Sequence, residues 1–556
     1  MEQLKIGVLI DDLKIAKYQA EILDELAAKS WCRIELFIKK QKSSDPFGKS
    51  GRFALYRLLR AVDAKVFGRN APFLAPVSLE KQIDDENLYT LQTVEDARYD
   101  EIAREDREKI AQKKLDLLLN FGFKQPDAAF LDVAKYGIWA LQTLHEPPGF
   151  WEVIEDIPVS EVSLVRMGSG LDAGFVLDRF KTVTHQKSMR KNYEQMMWRA
   201  HMMVVRNLAK LAKEGEAYFA DKPAKTFFND RFSFSEAHPK KFFDPRFHFA
   251  DDLAKKAPTN LRMVRAAVRL GVKYLNFTVR RFFPMDRWII LFGENRDGKS
   301  NPDFGSYKRL PLPSIDYFQA DPFIVDEGGK SYLFYEELDY KTLKGYLLVA
   351  EYDEKQQTFV NPKEILRKPY HLSYPNIFKV DGKWYMVPET HENRTVDLYE
   401  AQEFPYRWKK VRTMLSNTKA VDATLFAHGG KWWMFVSEAE KEGFSLNDTL
   451  SLYYCNDFRT DNWTPHPQNP VITDVTRARP AGQLIEQNGR IFRPAQDCSG
   501  VYGRGMVFNE VLALNETTYK EHPAQFIRAD FADDLVAVHT FNKSDRFTVI
   551  DAIKSR

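Results

Sequence analysis

From Trp288 onward the apolar residues fall in short runs, alternating or wholly apolar, broken by glycine and polar pairs. That is the period of β-strands. One stretch, DPFIVDEGGKSYLFYEE at 321–337, returns as YPNIFKVDGKWYMVPET from Tyr374, DATLFAHGGKWWMFVSE from Asp422 and AGQLIEQNGRIFRPAQD from Ala481. Each copy has a glycine eight residues after its first position (Gly329, Gly382, Gly430, Gly489), then Lys or Arg, then an aromatic-rich run. Glycine supplies the positive φ of a tight hairpin turn, so each copy reads as a hairpin. The starts lie 53, 48 and 59 residues apart, which leaves room for two further strands such as GYLLVAEYD, TVDLYEA and SLYYCND. Four-stranded units repeated in this way are propeller blades. A long β-sandwich is the competing expectation, and the constant internal spacing speaks against it. Four copies need a fifth blade to close a ring; the strand at 288–293 and the tail segments LVAVHTFN and RFTVIDAI are expected to build it jointly.

The N-terminal part has a different period. KIGVLI is a short buried strand, 16–29 an amphipathic helix and RIELFIKK a second strand, an alternation that predicts a parallel α/β sheet. No G-x-G-x-x-G follows the first strand, and GSGLDAG at 168–174 has the wrong spacing for a phosphate loop. A long helix is expected over 185–214, its methionines filling core. The segment LRMVRAAVRLGVKYLNFTVRRFF, 261–283, carries Arg262, Arg265, Arg269, Lys273, Arg280 and Arg281 without an acid. It is too charged to span a bilayer. Two placements compete for it: on an anionic membrane surface, or docked between domains with its charges in solvent. The expected organisation is an α/β domain over 1–220, a linker with this basic helix over 221–285, and a five-bladed propeller over 286–556.

Composition narrows the function classes. Lys and Arg number 81 against 78 Asp and Glu, so no global charge points to nucleic acid. The three cysteines, Cys32, Cys455 and Cys498, are far apart and odd in number, which fits a reducing compartment rather than a disulfide framework. The first apolar run, IGVLI, meets Asp11 and Asp12, so neither a signal peptide nor a span is read there. A cytoplasmic location is expected, with a peripheral place on the inner face of the membrane as the option the basic helix raises. No His/Cys cluster at metal-ligand spacing and no Asp-x-Asp motif stands out. No resident cofactor is expected, and a divalent metal accompanying a nucleotide-sugar donor is left open.

The order LDLLLNFGF, YGIWALQ, PPGFWEVIEDIPVSEVSLVRM, GLDAGFVL resembles the N-terminal domain of formyltransferases over about a third of the chain. The resemblance implies an Asn-x-His near Gly137 and an Asp in a Leu-Asp-x-Gly turn. Asp172 matches the turn, whereas Ala140 and Gln142 stand at the other two positions. Without imidazole and amide, formyl transfer has no evident base or oxyanion donor, so a retained fold without that chemistry is expected. His145, three residues on, is read as a loop histidine before a displaced catalytic one.

ADPFI, SYPNIF with MVPET, and VDATLF with KWWMF resemble the five-bladed propellers of arabinanases, xylosidases and invertase-like enzymes. From about 287 to 523, through RPAGQL, RPAQD and YKEHP, the sequence is more similar still to the propeller region of glucosamine inositolphosphorylceramide transferases. The hydrolase resemblance implies that Asp321 is base or nucleophile and that Asp422 tunes an acid. The acid itself, a Glu opening blade four, is replaced by Ala481-Gly482-Gln483.

A poor alkoxide leaving group needs a proton, help worth roughly 10²- to 10⁴-fold, whereas a phosphate leaves as a stable anion and needs cations. Arg477, Arg479, Arg490 and Arg493 surround the vacant position in sequence, and guanidinium forks suit phosphate. Glu336 and Glu389 share a repeat position fifteen after the start, with Ser437 and Gln496 in the other copies; Glu337, Glu438 and Asp497, one further on, should face away. The expected catalytic set is Asp321, Asp422 and Glu389. The expected substrate ligands are Arg479, Arg493, Gln496, Asp497, His391, Tyr374 and Trp433. The function they suggest is a carbohydrate-active transferase of cell-surface glycan or glycolipid assembly, taking a phosphate-activated sugar donor and a glycan or glycolipid acceptor. A non-catalytic glycan-binding scaffold and a propeller glycoside hydrolase using another acid are the alternatives.

Overall fold

The computed structural model describes residues 3–40, 51–68, 71–84, 86–91, 93–95, 100–123, 126–168, 174–220, 258–280, 287–295, 303–500 and 502–555. Asp172, the stretch 221–257 and residues 281–283 lie outside them. The chain divides into two compact units, Met1–Arg281 and Phe282–Arg556.

The first unit is built on a seven-stranded sheet. In chain order its strands are β1 (Leu4–Ile10), β2 (Cys32–Lys40), β3 (Leu88–Leu91), β4 (Leu117–Asn120), β5 (Ile138–Thr143), β6 (Val159–Met167) and β7 (Gly174–Val183), arranged β7-β6-β5-β4-β1-β2-β3. Strands β3, β2, β1, β4 and β5 run parallel, as the wholly apolar runs KIGVLI and LDLLLN require of strands covered on both faces. The sheet is mixed rather than parallel throughout, because β6 and β7 add an antiparallel edge. Helix α1 (Lys17–Ala27) packs against the long α3 (Met189–Glu214). Met196, Met197 and Met203 of α3 are buried, so they fill core. His145 is a loop histidine, in the connection after β5, and is buried as a partner of Glu152, Nδ1 to Oε1 at 3.0 Å. The basic helix is α4 (Asn260–Arg280). It belongs to the first unit, and Met263 and Ala266 sit in one cluster with Tyr56, Phe150 and Trp151.

The second unit is a five-bladed propeller. Blade one is Tyr317–Glu327, Lys330–Asp339, Lys344–Asp353 and Thr358–Leu366, and blades two, three and four start at Ser373–Val380, Ala420–His428 and Ile485–Gln487. Blade five takes Leu535–Lys543 and Phe547–Lys554 from the end and Arg287–Glu294 and Lys308–Arg309 from the start, so the terminal strands close the ring. All four repeat glycines have φ between +72° and +77°, and Gly328, Asp381, Gly429 and Asn488 before them are also left-handed. Two successive positive φ values make the hairpin turn whose twist matches the strands. Aromatic side chains fill the wedges between blades: Tyr332 of blade one meets Phe404 of blade two edge-on with centroids 5.4 Å apart, and Phe292, Tyr352, Phe359 and Phe547 share the cluster beside blade five.

Candidate active site

The first residue of each of the first three repeats falls at a bulge. The innermost strand slips register between Ala320 and Phe323, between Ser373 and Asn376, and between Val421 and Thr424. There Asp321, Tyr374 and Asp422 take φ of +51°, +43° and +55°. A bulge inserts a residue and re-aims its side chain, and a left-handed non-glycine persists only where its surroundings over-determine it. Here they do. The Asp321 backbone N–H donates to Asp551 Oδ2 at 2.8 Å, and that of Tyr374 donates to Asp321 Oδ2 at 3.2 Å. Blade five slips between Val538 and Phe541, so His539 stands at the equivalent place. In blade four Ala481 is fully buried, and a Cβ on Gly482 would lie 2.0 Å from the Phe541 carbonyl oxygen. The place of a hydrolase's acid is held here by the methyl group of Ala481.

Asp321 is buried between blades one and five. Thr540 donates its hydroxyl to Oδ1 at 2.9 Å, and His539 Nε2 lies 3.5 Å from the same oxygen. His539 Nδ1 is 2.7 Å from Asp551 Oδ1, and Trp288 stacks on the imidazole at 3.8 Å. Burial raises Asp321 above the usual carboxylate range, against the pull of His539. Burial also works against charge on His539, yet Asp551 and Asp321 raise it overall. Asp321, His539 and Asp551 each bring one ligand atom within 4.8 Å of the others, the geometry of a cation site. Asp551 Oδ1 already accepts from the backbone N–H groups of His539 and Thr540 and faces the imidazole, while Oδ2 accepts from the Asp321 N–H. Among these side chains the cluster is a hydrogen-bonded relay.

Across the funnel Arg479 organises the rest. Its Nε and Nη2 donate to Asp422 at 2.6 and 3.3 Å, Nη1 donates to Asn447 at 2.9 Å, and Nη2 stands 3.6 Å from Glu389. Its guanidinium lies 5.0 Å from the Tyr502 ring centre. Gln496 donates to Asp422 Oδ2 at 3.0 Å. Burial pushes Asp422 up to about 8, Arg479 opposing it and Glu389 and Asp321 adding to it. Glu389 goes the other way: burial is outweighed by the His391 hydrogen bond and by Arg479, which hold it at about 2. Glu336 is driven well above its ordinary value by burial and by Asp321 and Glu389. His371 Nδ1 accepts the Gly345 N–H, which leaves Nε2 to carry the proton 3.4 Å from Glu336 Oε1.

The contact between His391 Nδ1 and Glu389 Oε1, 2.6 Å long, gives a pH prediction. Glu389 titrates below its ordinary 4.5, so its contribution is complete above pH 4.5 and is lost as pH falls toward 2. His391 is raised above 6.5, chiefly by Glu389, so its contribution is complete below pH 6.5 and is lost as pH rises through the raised value. The stability difference between the wild type and His391→Gln should therefore peak between these limits at about 1 kcal/mol. Thermal melts across pH check it, and a difference that grows above pH 8 would contradict the pairing.

Of the residues expected from sequence, Asp321, Asp422, Glu389, Arg479, Gln496 and His391 surround the funnel centre. Four do not face it. Arg493 is 1% exposed and spends its guanidinium on Glu521 and on the carbonyls of Arg477 and Ala478. Trp433 packs with Phe435 and Leu452, its indole N–H on the His428 carbonyl. Asp497 accepts the Ser499 N–H at its own turn, on the opposite side of the strand from Gln496 as alternation requires. Tyr374 is fully buried; its hydroxyl accepts the Gly482 N–H at 2.7 Å and bonds Thr424, tying blades two, three and four together beneath the site. Arg477 and Arg490 likewise pair with Glu521 and Glu510, which leaves Arg479 as the one of the four arginines in the funnel. His539, Thr540, Asp551 and Tyr502 were missed. The signal was a polar pair inside an apolar strand, LVAVHTFN, at the register of the repeat's first residue.

The fold and site define a five-bladed propeller whose axial funnel gathers, among the described residues, the carboxyl groups of Asp321, Glu336, Glu389 and Asp422, the guanidinium of Arg479 and a relay of Asp321, His539 and Asp551. Residues 305–540 match the family model described as glucosamine inositolphosphorylceramide transferase 1, N-terminal. The glucosamine inositolphosphorylceramide transferase 1 of Oryza sativa subsp. japonica is 34% identical over 208 residues, covering 37% of this chain and 28% of that protein. Its namesake in Arabidopsis thaliana is 31% identical over 223 residues, covering 40% and 29%. The match thus spans less than a third of either relative's length. Among solved structures, a family 117 glycoside hydrolase from Zobellia galactanivorans aligns over 49% of this chain and 92% of its own, with 12% identity and a TM-score of 0.32.

Proposed function

We propose that the propeller funnel is the active site of a sugar transferase acting in glycolipid or cell-surface glycan assembly, with a phosphate-activated donor. One observation carries this: Asp422 and Glu389 converge on Arg479, with Asp321 near enough for Glu389 to raise it, within the stretch that matches the transferase model, while Ala481 stands where a hydrolase would keep its acid. Asp321 is the base for the acceptor hydroxyl, its carboxylate oriented by Thr540 and the Tyr374 N–H. His539 beside it, raised by Asp551 and Asp321, lowers the cost of keeping that carboxylate ionised. Glu389, ionised, accepts hydrogen bonds from sugar hydroxyls. Three of the five guanidinium N–H groups of Arg479 are committed to Asp422 and Asn447. Of the other two, that on Nη2 sits on the nitrogen facing Glu389 at 3.6 Å, and that on Nη1 is the one offered to a departing phosphate, which leaves as an anion and needs no proton. A divalent cation carried by the donor's diphosphate would supply the remaining positive charge.

The test is to incubate the purified full chain with a panel of nucleotide sugars and lipid or glycan acceptors, following both diphosphate release and donor binding. Transfer with one donor supports the proposal; no release together with no binding for every donor overturns it. Glycoside hydrolysis is the second reading, favoured by the buried carboxyl of Glu336, which burial and the neighbouring Asp321 and Glu389 push toward its protonated form. If it holds, the chain releases sugar from unactivated alkyl glycosides. Glu336→Gln should then slow that release about 10²-fold while sparing aryl glycosides with acidic leaving groups. Equal losses on both substrates would exclude Glu336 as the acid.

A further inference from the structure

We infer that helices α2 (Ala54–Phe67) and α4 of the first unit form a docking surface for an anionic lipid bilayer. The two helices pack side by side. The Asn260 side chain joins them by accepting the Leu55 N–H and donating to the Gly51 carbonyl, both at 3.0 Å. Each buries one face in a shared cluster, through Tyr56, Leu55 and Leu59 of α2 and Met263, Ala266 and Leu270 of α4. The opposite faces are also apolar. Leu58, Val62 and Val66 recur every fourth residue on α2, and Leu261, Val264, Val268, Val272 and Leu275 recur at spacings of three and four on α4. These eight side chains are 52–71% exposed. Sixteen large hydrophobic residues are exposed among the described residues, and with Tyr274 nine of them are on these two helices. An apolar concentration of this kind marks an interaction site.

Charge selects the occupant. The helices carry Arg57, Arg60, Lys65, Arg262, Arg265, Arg269 and Lys273 on their described side chains. Their one acid, Asp63, is buried and accepts the Arg190 N–H at 2.8 Å. Arg269 and Lys273 reach back to Glu155 and Asp156 at the seam with the core, where they also flank the exposed stripe. A second copy docked face to face would bring seven cations onto seven. A membrane surface rich in acidic headgroups takes the valine and leucine side chains into its acyl boundary and pairs the flanking cations with phosphates and carboxylates. No helix of the described residues is long and apolar enough to cross the bilayer, so the contact is one of lying on the surface. This surface is independent of the funnel chemistry, and its test reads no activity.

The full chain is floated with vesicles of phosphatidylcholine alone and of phosphatidylcholine with about one part in three phosphatidylserine. It should partition onto the second and not the first, and salt should weaken the binding. Val264→Asp with Val268→Asp removes the apolar contact, and Lys65→Glu with Arg265→Glu removes charge. All four positions are exposed, so the fold is retained, which circular dichroism checks. Either pair should lower the partition coefficient at least about tenfold. Absence of binding to acidic vesicles, or double variants that bind as wild type does, would overturn the inference. So would a lipid-free dimer that the valine variants dissolve, because the stripe would then be a protein interface.

Discussion

Asp321→Asn is expected to lower sugar transfer by about 10³-fold while leaving the propeller folded, which single-turnover assays and thermal melts on the same preparation measure. The amide keeps the size of the carboxylate. Its oxygen can still accept the Thr540 hydroxyl, now at 2.9 Å. Its NH₂ cannot accept the Tyr374 N–H, which the carboxylate holds at 3.2 Å, so one buried donor is orphaned at a cost of about 1–2 kcal/mol. The activity loss has a separate cause. An amide cannot take a proton from the acceptor hydroxyl, nor offer a negative charge to a sugar cation. A binding scaffold would behave differently: Asp321→Asn would leave glycan affinity and cellular function close to wild type. Full turnover in the amide variant would remove Asp321 from the chemistry and with it the assignment of the funnel as the reaction centre.

Glu521→Ala should be among the most destabilising single changes in the propeller, costing about 3–5 kcal/mol. The Glu521 carboxylate is fully buried in blade four. It accepts Arg493 Nε and Nη2, both at 2.8 Å, Arg477 Nη1 at 3.1 Å and the Tyr519 hydroxyl. Burial alone would raise it, and the two guanidinium groups bring it below its ordinary value. Removing it leaves the Arg493 charge enclosed without a counterion, which is the expensive half of a buried ion pair. Denaturant unfolding of Glu521→Ala, Arg493→Met and the double apolar variant Arg493→Met with Glu521→Leu completes the cycle. The double variant should be more stable than Glu521→Ala, since it buries no lone charge. A Glu521→Ala loss under 1 kcal/mol would mean that water reaches Arg493.

Periodicity carried the architecture because backbone rules are local. Gly329, Gly382, Gly430 and Gly489 were legible as turns, since a two-residue hairpin requires positive φ wherever it occurs in the chain. The closing blade was legible too, because 288–293 and the two tail strands had no other partner. The parallel strands β1, β2 and β4 followed from runs apolar on both faces. The antiparallel edge, β6 and β7, did not, because strand direction is set by the connection and not by composition.

The arginines show where sequence proximity misleads. Arg477, Arg479, Arg490 and Arg493 fall within 17 residues, yet three of them point into ion pairs with Glu510 and Glu521, which are supplied by other strands of blade four. Alternation assigns a face of the strand but not the partner waiting there. Likewise the Tyr374 hydroxyl is spent on Gly482 and Thr424, far along the chain, and Trp433 packs with Phe435 and with Leu452 across the blade.

By itself the sequence determined the strand period, the glycine turns, the number of blades and the broken symmetry in which Asp321 and Asp422 keep a carboxylate while Ala481 does not. Each of these depends on residues close along the chain. The tertiary structure alone decided that the bulges turn Asp321 and Asp422 toward one axis, and that His539 and Asp551, more than two hundred residues downstream, complete the surroundings of Asp321. It also decided that Arg479 is the cation left at the centre. The physical reason is ring closure: the last strands of the chain pair with the first strands of the propeller, and only then do the five inner strands share a funnel.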